Sequence, residues 1–145
     1  MTPDKLIRLK DRLEKFRLNV PIMIEETLQE LAPVIEDLLG AQLQRGEKGD
    51  GTFLPDYSPV SVAVYGKPPG PIRLYDKGSF YRGMTLKVTA KDFEIMDTDS
   101  KTAKLTTTYG DNILQLSPTS IHILVDDYLL IELAKKAEKY FYESN

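Results

Sequence analysis

Apolar residues in the first third of the chain recur with the spacing of an α-helix. They stand three or four positions apart, and they are Leu6, Leu9, Leu13, Phe16, Val20, Ile24, Leu28, Leu31, Ile35 and Leu38, with Gln42 next in register. This spacing predicts one apolar stripe along a helix, with Lys, Arg and Glu opposite it. We expect Asn19 to cap a new helix that has Pro21 in its first turn. We expect Pro33 to kink the helix near residues 30–32, and RGEKGDG at residues 45–51 to end it.

The middle of the chain is rich in proline and glycine. GEKGDG, LPDYSP and GKPPGP follow one another within residues 46–73. Prolines at this density disfavour helix and favour extended connections. We therefore interpret residues 46–73 as loops.

Beyond Thr85 the pattern changes to the alternation of β-strands. Leu86 and Val88 alternate with polar residues, and so do Phe93 and Ile95, which predicts a hairpin with its turn at residues 90–92. A third strand is expected through Ala103, with Leu105 and Thr107, ending at a turn formed by residues 109–112.

A C-terminal helix is predicted from a serine–proline pair. Ser117 can cap it and Pro118 suits its first position. The apolar face drifts near residues 126–127, which leaves two alternatives: one curved helix, or a short helix followed by a longer one. Together the patterns predict an α+β single domain, with helices in residues 1–45, loops in 46–73, a capped turn and a small antiparallel sheet in 74–116, and a C-terminal helix in 117–145 that packs on the sheet.

The stretch LYDKGSFYRGM at residues 74–84 joins the loops to the hairpin. Asp76 can cap a short helix that carries Phe80, and Gly83 can release the chain into the strand. A phosphate-binding loop would need Lys and then Ser or Thr after the second glycine, and Met84–Thr85 follows instead. We interpret this stretch as a structural joint.

Composition narrows the chemistry further. The 145 residues include no cysteine, so disulfides, thiolate metal sites and cysteine nucleophiles are excluded. No apolar run approaches the roughly 18 residues of a membrane span. We expect a protein made in the cytoplasm with no membrane contact.

Two features are candidate active sites. His122 is the sole histidine and has no accompanying nucleophile motif, so we expect a surface or partly buried helix residue. Asp97 and Asp99 lie two apart, and such a pair could hold a cation or share a proton. The residues after them do not match a calcium-binding loop, so a strand ending in turn residues is expected. We identify no catalytic, cofactor-binding or metal-ligating residue.

Charge is unevenly distributed along the predicted helices. Residues 1–20 hold six basic side chains, and residues 21–44 hold five acidic ones and no basic one. The basic residues are Lys5, Arg8, Lys10, Arg12, Lys15 and Arg17. They suggest a nucleic-acid-binding accessory protein as one alternative function. A metal-dependent hydrolase using Asp97 and Asp99 is a weaker one.

The joint and its surroundings resemble a known family. Phage neck and tail-completion proteins, found in phages and in prophages of gut bacteria, carry an Asp/Thr–Gly–x–Leu/Phe step that starts a short helix before a β-hairpin and follows one long N-terminal helix. Here the step is DKGSF at residues 76–80, followed by MTLKVTAKDFEIMDTDSKTAKL and TYGDNILQLS. Lys77 stands where the family most often has threonine.

The resemblance implies a non-catalytic virion structural protein of the phage neck or tail, a head–tail connector that forms a homo-oligomeric ring. Its partners would be further copies and other neck, portal or tail proteins, and DNA would be met only in the ring lumen. It would be made in the host bacterial cytoplasm and would be incorporated into the virion. The assembly residues it implies are Asp76, Gly78, Phe80, Gly83, Tyr109 and Gly110.

Overall fold

Two helices that meet just before a proline form the N-terminal part of the protein. The computed structural model describes residues 1–75, 78–89 and 92–143. Helix α1 spans Pro3–Glu30 and begins after Thr2, whose hydroxyl accepts a hydrogen bond from Lys5 N (3.4 Å). Helix α2 spans Ala32–Gln44, with Pro33 in its first turn. The kink predicted at residues 30–32 is therefore a break at Leu31.

The helix start predicted at Asn19 is wrong. Helix α1 continues through Pro21, and Asn19 Nδ2 donates a hydrogen bond to Lys15 O (2.8 Å) within the helix. An internal proline costs about 3 kcal/mol. The apolar stripe continues beyond Pro21 to the buried Leu28, so packing favours one helix over two.

The proline-rich region contains a helix that was predicted as loop. Helix α3 spans Pro59–Tyr65, and the Ser58 hydroxyl caps it by accepting from Ser61 N (3.1 Å). Serine before proline is the same start signal that was recognised at residues 117–118. The short helix of the joint, α4, spans Ser79–Arg82.

The predicted hairpin is confirmed. Strand β1 spans Met84–Val88 and strand β2 spans Phe93–Asp97; they pair antiparallel, with Leu86 opposite Ile95. Of the predicted turn, residues 90 and 91 lie outside the described residues. Strand β1 contacts both α1 and α2, so the sheet packs on the N-terminal helices.

The predicted third strand is wrong, because its residues form helix α5, Thr102–Tyr109. The hydroxyls of its threonines donate to carbonyls one turn back; the bond from Thr107 Oγ1 to Ala103 O is 2.7 Å. Leu105 and Tyr109, four residues apart, both pack against the core. A 3₁₀ helix, Asp111–Leu114, follows directly.

The C-terminal helix begins as predicted and contains a π-helical segment. Helix α6 spans Pro118–Ile123, the π-helical segment spans Leu124–Leu129, and helix α7 spans Leu130–Glu143, without interruption. A π-helical turn holds an extra residue, which shifts the side-chain register. This explains the drift of the apolar face at residues 126–127.

Helix α7 packs mainly along α1, whereas it was expected on the sheet. The two helices run antiparallel. The ring centroids of Phe16 and Phe141 are 5.0 Å apart, and Lys136 Nζ lies 3.0 Å from Glu30 Oε1. The aromatic contact therefore lies at the C-terminal end of α7.

One apolar core joins the helices, the sheet and the loops. Its buried side chains are Leu28, Leu31, Ile35, Leu39, Leu43, Leu54, Leu74, Phe80, Met84, Ile95, Ile113, Leu116 and Leu124. The α+β fold class, with N-terminal helices, a small antiparallel sheet and a C-terminal helix, is confirmed.

Candidate functional site

The glycines of the joint are required by backbone shape and close packing. Gly78 precedes α4 with φ +80°, a conformation that favours glycine, and an added Cβ would lie 2.7 Å from Arg82 Nη1. Gly83 has an ordinary helical φ, but an added Cβ would lie 2.5 Å from Asp97 Oδ1. Asp76, the predicted cap, lies outside the described residues. The described joint thus acts through close packing between α4 and the end of β2.

Phe80 and Tyr109 line one small pocket. Phe80 is buried in the core, while Tyr109 is partly buried at the end of α5. The pocket has a volume of about 250 Å³, and Tyr57, Tyr75 and Leu105 also line it. Gly110, with φ +96°, turns the chain from α5 into the 3₁₀ helix, and its N–H donates to Thr106 O (2.8 Å). Of the expected assembly residues, the fold brings these two aromatic side chains together.

The two aspartates after β2 bind backbone N–H groups. Asp97 Oδ1 accepts from Asp99 N (2.7 Å), and Asp99 Oδ1 accepts from Lys101 N (2.7 Å). Burial raises the pKa of Asp97, whereas a hydrogen bond from the Ser79 hydroxyl lowers the pKa of Asp99. Asp97 Oδ2 and the Thr102 hydroxyl are both buried, and neither makes a hydrogen bond of normal geometry among the described residues. The carboxylates therefore fix the turn between β2 and α5.

His122 lies on the surface of α6. Its side chain is 78% exposed, and Nε2 lies 2.9 Å from Asp126 Oδ2, one turn along the helix. No serine among the described residues is hydrogen-bonded to it. The expectation of a helix-surface residue is consistent with this position.

The first three turns of α1 precede the contact that this helix makes with the end of α7. We call residues 3–13 the α1 tip. The tip ends one turn before Phe16, the α1 residue that lies beside Phe141 near the end of α7. Leu6, Leu9 and Leu13 are 58%, 38% and 50% exposed. The periodicity identified these leucines as helical, but only the fold shows that they are uncovered.

An open groove follows the free edge of β2, and sequence reasoning did not find it. The groove has a volume of about 800 Å³. Four consecutive residues, 92–95, line it; since alternate side chains point to opposite faces, it must run along the strand's edge. Its apolar lining is Phe93, Ile95, Leu114, Leu116 and Ile121, and its acidic lining is Asp92, Glu94 and Asp111.

We call this the β2-edge groove. Its three acidic residues are exposed, and no ion pair joins them to another described residue. They come from two segments that only the fold brings together. The alternation of acidic and apolar residues at 92–95 is the one signal of the groove in the sequence.

Comparison of the chain with protein-family models, curated protein sequences and solved structures found no match. Within the described part of the chain, no helix has the combined length and apolarity needed to cross a bilayer. In the same residues, no three His, Asp or Glu side chains cluster in a way that could hold a metal ion.

Proposed function

We propose that this protein is a non-catalytic virion structural protein of the phage neck or tail, a connector-like subunit that forms a homo-oligomeric ring. Its partners are further copies and the portal, neck or tail proteins on either side. Its location is the virion, after synthesis in the host bacterial cytoplasm. The likeness of residues 76–80 and the segments after them to that family supports this proposal.

The observation that carries the proposal is the exposed α1 tip. Three leucines at positions 6, 9 and 13 are exposed along one side of the first turns of α1. Full burial of an exposed leucine contributes about 1.5–3 kcal/mol, and these three are 38–58% exposed, so a partner that covers them gains about half of that for each. A subunit that is completed by its neighbours has this property.

The candidate chemical groups also support a structural role. The Oδ1 atoms of Asp97 and Asp99 each accept a hydrogen bond from the backbone of the turn that follows, and Asp97 Oδ2 is buried. His122 pairs with Asp126 on an exposed helix face. We expect alanine at any of these three candidate positions to leave assembly near normal.

Co-assembly with virion proteins tests the proposal. The protein would be co-expressed with the products of the genes next to its own and studied by native mass spectrometry and negative-stain microscopy. We expect a multi-copy ring attached to a portal or tail protein. A protein that stays monomeric with every such product would contradict the proposal.

A further inference from the structure

We propose that the α1 tip of one copy binds in the β2-edge groove of the next copy. The inference rests on the proposed ring and names the surfaces that form it. Both surfaces are uncovered in the single chain, one as an apolar stripe and the other as an apolar-floored groove. A helix that lays such a stripe in a groove is a common mode of protein recognition.

The α1 tip is basic on the side that carries its leucines. At 3.6 residues per turn, Lys5 lies on one side of the leucine stripe and Lys10 lies on the other. The same spacing places the acidic residues of the tip, Asp4 and Asp11, on the opposite side of the helix. The surface that a partner meets is therefore leucine flanked by positive charge.

The β2-edge groove has the complementary character. Asp92, Glu94 and Asp111 are exposed at its rim, and no Lys or Arg is among the residues that line it. Ile121 is 45% exposed, and Phe93 and Leu114 are half-buried, so the floor still has apolar surface to bury. Complementary charges of this kind select the partner and fix its register.

The two surfaces of one chain cannot meet each other. The tip lies beyond Phe141, whereas the groove includes Ile121, twenty residues earlier on the same helix. At 1.5 Å per residue the two ends are about 30 Å apart. The contact is therefore between copies and joins different surfaces, and such a head-to-tail contact closes into a ring or continues as a filament.

Charge reversal tests the contact directly on the full chain by sedimentation velocity. The tip variant is Lys5→Glu with Lys10→Glu, and the groove variant is Glu94→Lys with Asp111→Lys. Each alone should self-associate at least about tenfold more weakly than the unmodified chain. An equimolar mixture of the two, or one chain carrying all four changes, should regain association. The matched control, Asp127→Lys with Glu138→Lys, changes exposed acids outside the groove and should behave like the unmodified chain.

Cysteine cross-linking gives a second measurement, since the chain has no cysteine of its own. A chain with Leu9→Cys and Ile121→Cys should form ladders of covalent oligomers on mild oxidation, because the two sulfurs within one copy are too far apart to bond. The control, Leu9→Cys with Val64→Cys, places the second cysteine on exposed α3 and should form no ladder.

The outcomes separate this inference from the proposed function. Charge variants without effect, no rescue in the mixture, or no ladder would overturn the tip-in-groove contact. Such results together with an intact ring on portal or tail proteins would leave the proposed function standing. Binding of the α1 tip to DNA or to anionic vesicles with no self-association would also overturn the contact.

Discussion

A buried glutamine holds the C-terminal helix to α2, and replacing it offers a sharp test of the fold. Gln42 is fully buried, and its Nε2 donates to Gln115 O (2.9 Å). Its Oε1 accepts from Ser117 N (2.7 Å), directly before the start of α6. One side chain thus satisfies two backbone groups that are more than seventy residues away.

The expected cost of Gln42→Leu follows from these two bonds. Leucine has a similar size but satisfies neither group. Orphaning the buried Ser117 N–H costs about 1–3 kcal/mol, and losing the part-buried bond to Gln115 O costs about 0.5–1.5 kcal/mol. The more apolar side chain recovers about 1–2 kcal/mol. With mid-range values, about 3 kcal/mol lost and about 1.5 kcal/mol recovered, we expect the free energy of unfolding to fall by about 1–2 kcal/mol. The midpoint of thermal unfolding should fall by about 2–4 °C for each kcal/mol.

Urea unfolding followed by circular dichroism measures this loss. The control is Gln44→Leu, two residues along α2, where the side chain is exposed and the change should stay within about 0.5 kcal/mol. The slope of the transition should be the same for both variants. A Gln42→Leu protein as stable as the control would refute the claim that these two bonds hold the helices together.

Three further predictions use the same reasoning. Gly83→Ala should lower the free energy of unfolding by about 1–3 kcal/mol, because its Cβ would meet Asp97 Oδ1 at 2.5 Å; Gly40→Ala, with the Tyr81 ring 3.6 Å away, should be neutral or stabilising by up to about 1 kcal/mol. Urea unfolding checks both, and equal losses would contradict the packing argument. Burial raises the pKa of Asp97, so the folded state binds this proton at higher pH than the unfolded chain, and stability falls as pH rises through the folded pKa. Asp97→Asn should therefore raise the free energy of unfolding, relative to the unmodified protein, by more at neutral pH than near pH 4. Urea unfolding at the two pH values checks this. The same difference in free energy at both would show that burial does not raise the pKa of this carboxyl. Duplex DNA should not bind measurably at physiological salt, as titration by fluorescence anisotropy would show; a micromolar complex that weakens with a log–log salt slope of about −0.9 per phosphate, and is lost on reversing Arg8 and Arg12, would favour the nucleic-acid alternative.

The elements that sequence predicted correctly are those in which local preference and burial agree. Leu86 and Val88 alternate on a strand whose partner supplies Ile95, so pattern and packing point to the same hairpin. Ser117 and Pro118 start a helix for reasons contained in those two residues. In both cases a short stretch carries the whole signal.

The errors arose where distant contacts decided the structure. Threonines suit strands, and Leu105 fits an alternating pattern as well as a helical one, but helix α5 places Leu105 and Tyr109 together on the core. Pro21 is disfavoured inside a helix, yet packing on both sides of it holds α1 together. The spacing of apolar residues cannot show how α5 packs on the core or how α1 packs on either side of Pro21, since both depend on residues far along the chain.

The candidate site was predictable only in part. The helical spacing of the leucines marks the α1 tip as amphipathic, but the exposure of their side chains follows only from the fold. The β2-edge groove joins residues 92–95 to residues 111–121, and their proximity follows from the fold. The polar Gln42 within an apolar stripe was the visible anomaly, and it marks a buried link between distant segments.

Helix α1 contacts α7 through Phe16, and its first turns lie well before that contact. From Phe16, where α7 holds it, to Leu6 the helix extends about 15 Å, so a tilt of about 10° moves Leu6 by about 3 Å. In the proposed contact between copies, such a tilt would change the angle between successive subunits without disturbing the core. That angle would set the curvature of the proposed ring, so one subunit could fit rings of different circumference.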